Sequence, residues 1–131
     1  MPWSEAFIVL LLSHLAGDFL LQTDWQAENK HAGLGGNSEA RRALFSHLAT
    51  YTLAFVPAVI WFAGELGTGT ALASVGLIFL PHLLQDDGRL LGRYTTLVKG
   101  PGAAQVPLVL VAVDQTLHLL VLFGIALLVT A

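Results

Sequence analysis

Four apolar runs divide the chain, and each is interrupted by polar residues at helical spacing. In the first, Phe-Ile-Val-Leu-Leu-Leu leads into Ser13-His14-Leu15-Ala16-Gly17-Asp18. On a helix, residues i and i+4 share a face, so His14 and Asp18 point together. The other runs repeat the device with His47 and Tyr51, His82 and Asp86, and Asp114 and His118. The apolar stretches predict spans over about 3–22, 43–63, 70–87 and 106–130, joined by short connections. Pro57 is expected to kink the second span, and Ser38 is a candidate cap for its first turn. Gly64 to Gly69 reads as a tight connection, and Arg89 to Gln105 as a basic loop broken at Gly100-Pro101-Gly102.

Composition supports a membrane setting. Hydrophobic residues make up 55% of the 131 positions, charged residues 11%, and mean hydropathy is +0.70. A soluble domain carries roughly 25% charged residues. Six Lys and Arg with nine Asp and Glu cannot coat a water-exposed surface. The expected fold class is therefore all-α, an integral membrane four-helix bundle forming a single domain over 1–131. The start of the chain lacks a basic signal-peptide region, so the first apolar run is expected to remain as a span. There is no cysteine, which excludes disulfides, thiolate metal sites and thiol nucleophiles. Nothing suggests a nucleic-acid partner.

Basic residues set the expected orientation. Lys30, Arg41 and Arg42 lie in the first loop, and Arg89, Arg93 and Lys99 in the third. The second loop and both termini have none. The positive-inside rule then places loops one and three in the cytoplasm and both termini outside, in the inner (cytoplasmic) membrane. His14, Asp18, His47, His82, Asp86, Asp114 and His118 then fall at similar depth, mostly in the cytoplasmic half of the bilayer. His14 to His47 and His82 to Asp114 are nearly equal separations, which hints at a duplicated hairpin.

An aspartate at the bilayer centre costs roughly 2.5–3.5 kcal/mol, so Asp18, Asp86 and Asp114 need partners. No Lys or Arg lies within a predicted span. A divalent metal answers that need. Imidazole and carboxylate without thiolate suit Zn²⁺ first, then Fe²⁺ or Mn²⁺. The expected ligands are His14, His47, His82 and His118, with Asp18, Asp86 and Asp114 as ligands, orienters or general base. Asp87 faces about 100° away from Asp86 and is a poorer candidate. Tyr51 reads as an orienting donor for His47, Gln22 and Gln115 as flanking hydrogen-bonders, and His31 as a solvated loop residue. Lys30, Arg41, Arg42 and Arg89 read as topology signals that could also attract anionic lipid headgroups.

Taken together, His14-x-x-x-Asp18-Phe19-x-Leu21-Gln22 with Ala27 and Lys30, His47-x-x-x-Tyr51, His82-x-x-x-Asp86-x-x-Arg89 and Asp114-Gln115-x-x-His118 resemble a family of small prokaryotic membrane proteins. It is catalogued as domain of unknown function 3307. Arg89 departs mildly from the usual Lys of that pattern. The pattern is also similar to a second group of small membrane proteins described as metal-dependent hydrolases on comparable His/Asp motifs.

The leading expectation is a membrane-bound metal-dependent hydrolase acting on a lipid-phase or membrane-surface substrate. The metal would acidify a water and polarise a carbonyl or phosphoryl group. The alternatives are a proton or metal-ion transporter or channel subunit, a b-type haem protein with axial histidines, and a subunit whose polar pairs only join helices. Membrane lipid is the expected partner, with a homo-oligomer or a partner subunit also compatible with four short spans.

Overall fold

The computed structural model describes residues 1–131 and contains helices only. They are α1 (Trp3–Leu15), α2 (Asp24–Asn29), α3 (Ser38–Ala54), α4 (Val56–Leu66), α5 (Thr68–Asp86), α6 (Arg89–Lys99) and α7 (Pro107–Val129). A π-helical turn, Ala16–Leu20, extends α1, and a 3₁₀ turn, Ala103–Gln105, precedes α7. Trp3–Leu20, Thr68–Asp86 and Pro107–Val129 are each long and apolar enough to cross a membrane. Taken as one bent segment, α3 and α4 make a fourth. Leu12, Ile60, Leu72, Leu108 and Leu128 are exposed on these helices, as lipid-facing side chains would be.

The bend between α3 and α4 is 45°. Its cause is Pro57, which has no N–H to donate and disfavours helical backbone before it. The helix stops at Phe55 and restarts with Pro57 in its first turn. The cap of α3 is Asn37 rather than Ser38: its side chain accepts the Glu39 and Ala40 N–H groups. The connection after α4 is tighter than expected, with Gly67 at φ 92° supplying the turn between α4 and α5.

Both polar connections contain helices where loops were expected. Thr23 and Gln26 form a reciprocal capping box that starts α2. In α6, Leu90, Tyr94 and Leu97 recur at one-turn spacing and form an exposed apolar stripe among Arg89, Arg93 and Lys99. That periodicity, hidden by the charges, is what makes the segment helical.

α1 packs on α7, α7 on α5, and α5 on both α3 and α4, while the π turn lies against α3. Leu10, Phe55, Phe62, Ile78, Leu122 and Ile125 form a dry apolar core. The polar pairs all lie towards one end of that core, at the end of α1, in the second half of α3, at the end of α5 and in the first half of α7. Gly17 permits the close approach of the π turn to α3. A Cβ there would sit 2.6 Å from Tyr51 Cδ2 and 3.3 Å from Tyr51 Cα.

The corner between α5 and α6 is tied to the first connection. Gly88 takes φ 76° beside it. Ala32 N–H donates to the Asp87 carbonyl (2.8 Å), and Leu34 N–H to Asp87 Oδ1 (2.8 Å). Arg89 Nε donates to Asp87 Oδ2 at 2.6 Å. Burial pushes the Asp87 carboxyl up, but the Arg89 guanidinium and the Leu34 N–H outweigh it and hold the group below the usual carboxylate range.

Two outcomes follow from this packing. Gly17→Ala should destabilise the protein by about 1–3 kcal/mol through overpacking against Tyr51, read as a lower melting temperature in detergent. Gly76→Ala is the control, because a Cβ there meets nothing within 4 Å. Asp87 has a depressed folded pKa, so its stabilisation is complete above its unfolded value and disappears as pH falls through the folded one. Melting temperature should therefore decline on acidification below the ordinary carboxylate pKa of 3.8. Asp87→Asn should lower it at neutral pH and shrink that acid-side decline; an unchanged acid limb would refute the assignment.

Candidate metal centre

Asp18, His47, His82 and Asp86 converge from three different helical segments, all four buried. His47 Nε2 lies 2.9 Å from Asp86 Oδ2, 3.1 Å from His82 Nε2 and 3.3 Å from Asp18 Oδ1. His82 Nε2 lies 3.2 Å from Asp86 Oδ2 and 3.7 Å from Asp18 Oδ1. A tetrahedral ion with bonds of about 2.0–2.2 Å holds its donors about 3.3–3.6 Å apart. The donor set therefore has the spacing of a small-cation site.

Each donor is placed by a local feature. The π turn sets Asp18, and π turns are frequently found at functional sites. Pro81 precedes His82 inside α5 and costs that helix one backbone hydrogen bond next to the cluster. The Tyr51 ring stacks on His82 with centroids 3.4 Å apart, fixing the plane of the imidazole.

The hydrogen bonds assign the imidazole protons. The backbone carbonyl of Asp114 can only accept, so His118 Nδ1–H donates to it at 2.8 Å. In a neutral ring, His118 Nε2 then accepts from His82 Nδ1–H at 2.9 Å. That leaves His82 Nε2 as an acceptor, 3.1 Å from His47 Nε2 and facing two carboxylates. A lone pair and carboxylate oxygens turned towards one point favour positive charge between them, from a histidine proton or a cation. Asp18 Oδ1, aimed into the same space, is buried without a hydrogen-bond partner; His47 Nδ1 is unpartnered too, but it is Nε2 of that ring that faces the cluster. The unpartnered Asp18 oxygen fits a bound cation.

His14 stands behind this group. Tyr51 O–H donates to His14 Nδ1, and His14 Nε2–H donates to Gln115 Oε1, each at 3.0 Å. Both ring nitrogens are thus engaged, and the approach to Asp18 is a looser 3.7 Å. The Tyr51 hydroxyl serves His14, where the i+4 spacing pointed to His47. Gln115 Nε2 in turn donates to Asp18 Oδ2 (3.3 Å) and Asp114 Oδ2 (3.2 Å). A second, smaller group joins Asp86, Asp114 and His118, with Asp86 shared between the two.

Lys30 is the residue that span-based reading missed. Its Nζ donates to Asp86 Oδ2 at 2.6 Å and to Gln22 Oε1 at 2.7 Å. It comes from the end of α2, outside every span, and reaches in because the capping box fixes that helix. The signal available in sequence was the capping box followed by a lone cation; what it reaches is a tertiary matter. Three carboxylates, Asp18, Asp86 and Asp114, face one ammonium, Lys30, which leaves two negative charges for a divalent ion or histidinium to balance.

Asp114 is half-buried and borders a cavity of about 200 Å³ with Lys30, His31, Gln85 and Asp86. His31 is exposed, as expected, but its ring lies against Gly88, where a Cβ would come within 2.8 Å. Asp87 lies outside the cluster, held by Arg89. The Arg41 side chain donates to the Gly35 carbonyl, and Arg42 lies over the Trp25 ring.

No curated protein and no solved structure matches the chain significantly. One family model matches residues 6–131, nearly the whole sequence. On that match the chain belongs to the family described as Protein of unknown function (DUF3307).

Proposed function

We propose that this protein is a four-span membrane bundle holding a divalent metal, and that it is a metal-dependent hydrolase acting on a substrate from the membrane phase. The observation that carries the reading is the unpartnered Asp18 Oδ1 beside the His82 Nε2 lone pair, within a donor set of tetrahedral spacing. Asp18, His47, His82 and Asp86 would hold the ion, and zinc suits this set best. The ion would supply Lewis acidity towards a water and a carbonyl or phosphoryl oxygen.

The remaining residues have assigned work in this reading. His118 fixes the His82 tautomer, and the Tyr51–His14–Gln115 chain holds Asp18. Asp114 faces the cavity and takes up a proton as general base. Lys30, already donating to Asp86, and His31 line that cavity and offer N–H groups to a substrate. The distribution of Lys and Arg supports placing this end of the bundle in the cytoplasmic half of the inner membrane.

Two alternatives fit less well. A transport path would have to cross the dry layer of Leu10, Phe55, Phe62, Leu122 and Ile125 beyond the cluster. A haem would need space between its axial histidines, whereas His47 and His82 approach to 3.1 Å and His82 and His118 to 2.9 Å.

The test is metal content by elemental mass spectrometry on protein purified in detergent without added metal. About one or two equivalents of a divalent metal are expected in the parent and none in a His82→Ala, Asp86→Ala variant. Gln115→Ala should weaken metal affinity about 10–100-fold while the helices remain folded. A parent without metal, even after divalent ions are added back, would overturn the reading.

A further inference from the structure

α6 sorts its residues by chemistry around the helix. At about 100° per residue, Leu90, Tyr94, Leu97 and Val98 share one side, and Arg89, Arg93, Thr96 and Lys99 the opposite one. Leu91 and Thr95 lie along one boundary and turn to the protein. Thr95 is buried, and Leu91 lines the cavities at Gln85 and Asp114. The four apolar side chains of the first group are all exposed. From Gly88 to Val113 the chain contains no Asp or Glu. Arg89 is paired with Asp87 at the corner, whereas Arg93 and Lys99 have no carboxylate partner in the protein.

The place of α6 in the chain says what covers its apolar side. α5 before it and α7 after it are each long and apolar enough to cross a membrane, and they pack on one another. A connection between two such spans leaves and re-enters the same face of the bilayer, so α6 stands at a membrane surface. Glycines at positive φ bracket it, Gly88 at 76° and Gly100 at 95°, so α6 is not a continuation of α5. At that level hydrocarbon lies on one side and headgroups with water on the other, the same division that the helix carries. We propose that α6 lies in the plane of the membrane surface, apolar side in the acyl layer, and that Arg93 and Lys99 bind the phosphates of anionic phospholipids. Charge supports that occupant: two unpaired cations with no acid nearby are drawn to an anionic leaflet. A second copy seated α6 on α6 would instead bring these cations against one another. Tyr94, apolar in its ring and polar at its tip, suits the same depth. The inference rests on the reading of α5 and α7 as spans and is independent of the metal.

The chain has no cysteine, so single-cysteine variants of the full chain each carry one nitroxide without background. In nanodiscs of phosphatidylcholine and phosphatidylglycerol, nitroxides at Leu90→Cys, Leu97→Cys and Val98→Cys should be reached by oxygen from the bilayer and shielded from an aqueous nickel chelate. Thr96→Cys should show the reverse. Leu12→Cys, on the exposed face of α1, is the lipid standard, and Gly36→Cys, in the exposed first connection, the water standard. Headgroup choice is read separately, from a bimane at Leu97→Cys quenched by brominated phosphatidylglycerol or brominated phosphatidylcholine. Phosphatidylglycerol should be preferred about fivefold, the effect of one basic residue near the surface. Arg93→Gln with Lys99→Gln should bring that ratio to about one; both side chains are exposed, so the fold is left intact.

Nickel access at Leu90, Leu97 and Val98 equal to that at Gly36 would overturn the proposal, because α6 would then stand clear of the membrane in water. Shielding of those three positions from both oxygen and nickel would overturn it in favour of a protein cover, a second copy first. Equal quenching by the two lipids in the parent would overturn the anionic headgroup. Water at Leu12 as well would remove the spanning reading together with this one, whereas water at Leu97 with lipid at Leu12 would remove this one alone. A preparation without metal but with the expected pattern along α6 would remove the hydrolase reading and leave the interfacial helix standing.

Discussion

Three carboxylates held inside an apolar helical protein are the constraint on which the rest of this structure depends. Each would cost roughly 2.5–3.5 kcal/mol at a bilayer centre if left alone. Much of the fold's irregularity serves them. The π turn presents Asp18, α2 brings Lys30 to Asp86, and Gln115 bridges Asp18 and Asp114. The apolar core is comparatively plain, a layer of Leu, Phe and Ile side chains closing the other end. One end of the molecule supplies stability, and the other spends part of it on a polar centre.

The centre differs from simple helix glue in what it leaves unsatisfied. Polar residues that only join helices find one another and complete their hydrogen bonds. Here the outer members do so: His14, Tyr51, Gln115 and His118 are each engaged. The inner members do so only in part. Asp18 Oδ1 is unpartnered, and the His82 lone pair meets carboxylate oxygen. A satisfied shell around an incompletely satisfied middle is an arrangement that could hold a cation. Asp86 sits at its centre of gravity, touching His47, His82, His118 and Lys30.

Much of this was legible in the sequence because helical periodicity survives in apolar runs. The i+4 spacing put His82 with Asp86, and their side chains do meet. It also anticipated the break at Pro57 and the outward turn of Asp87. What it could not carry was anything decided between elements. Spacing paired His14 with Asp18, yet Asp18 lies closer to His47, because the π turn and Gly17 bring α1 against α3. Tyr51 was read against its own helix and instead donates across to α1. Lys30 lies outside the spans, where a cation signals only topology, and in α6 three basic residues mask a one-turn apolar repeat. Local pattern finds elements and faces; partners across helices come from packing.

The π turn carries a consequence for how such a site is kept or lost. It holds one more residue than an α-helical turn would need, closed by the Leu21 N–H to Ala16 carbonyl bond at 3.0 Å. Removing Ala16 would let α1 run on as ordinary helix, with better backbone hydrogen bonding and nearly the same apolar length. It would also turn the following side chains by about 100°. Asp18 would leave the cluster while the span itself remained intact. Function and foldedness are therefore separable here by one peptide unit, and the irregular turn persists against the helix's own preference.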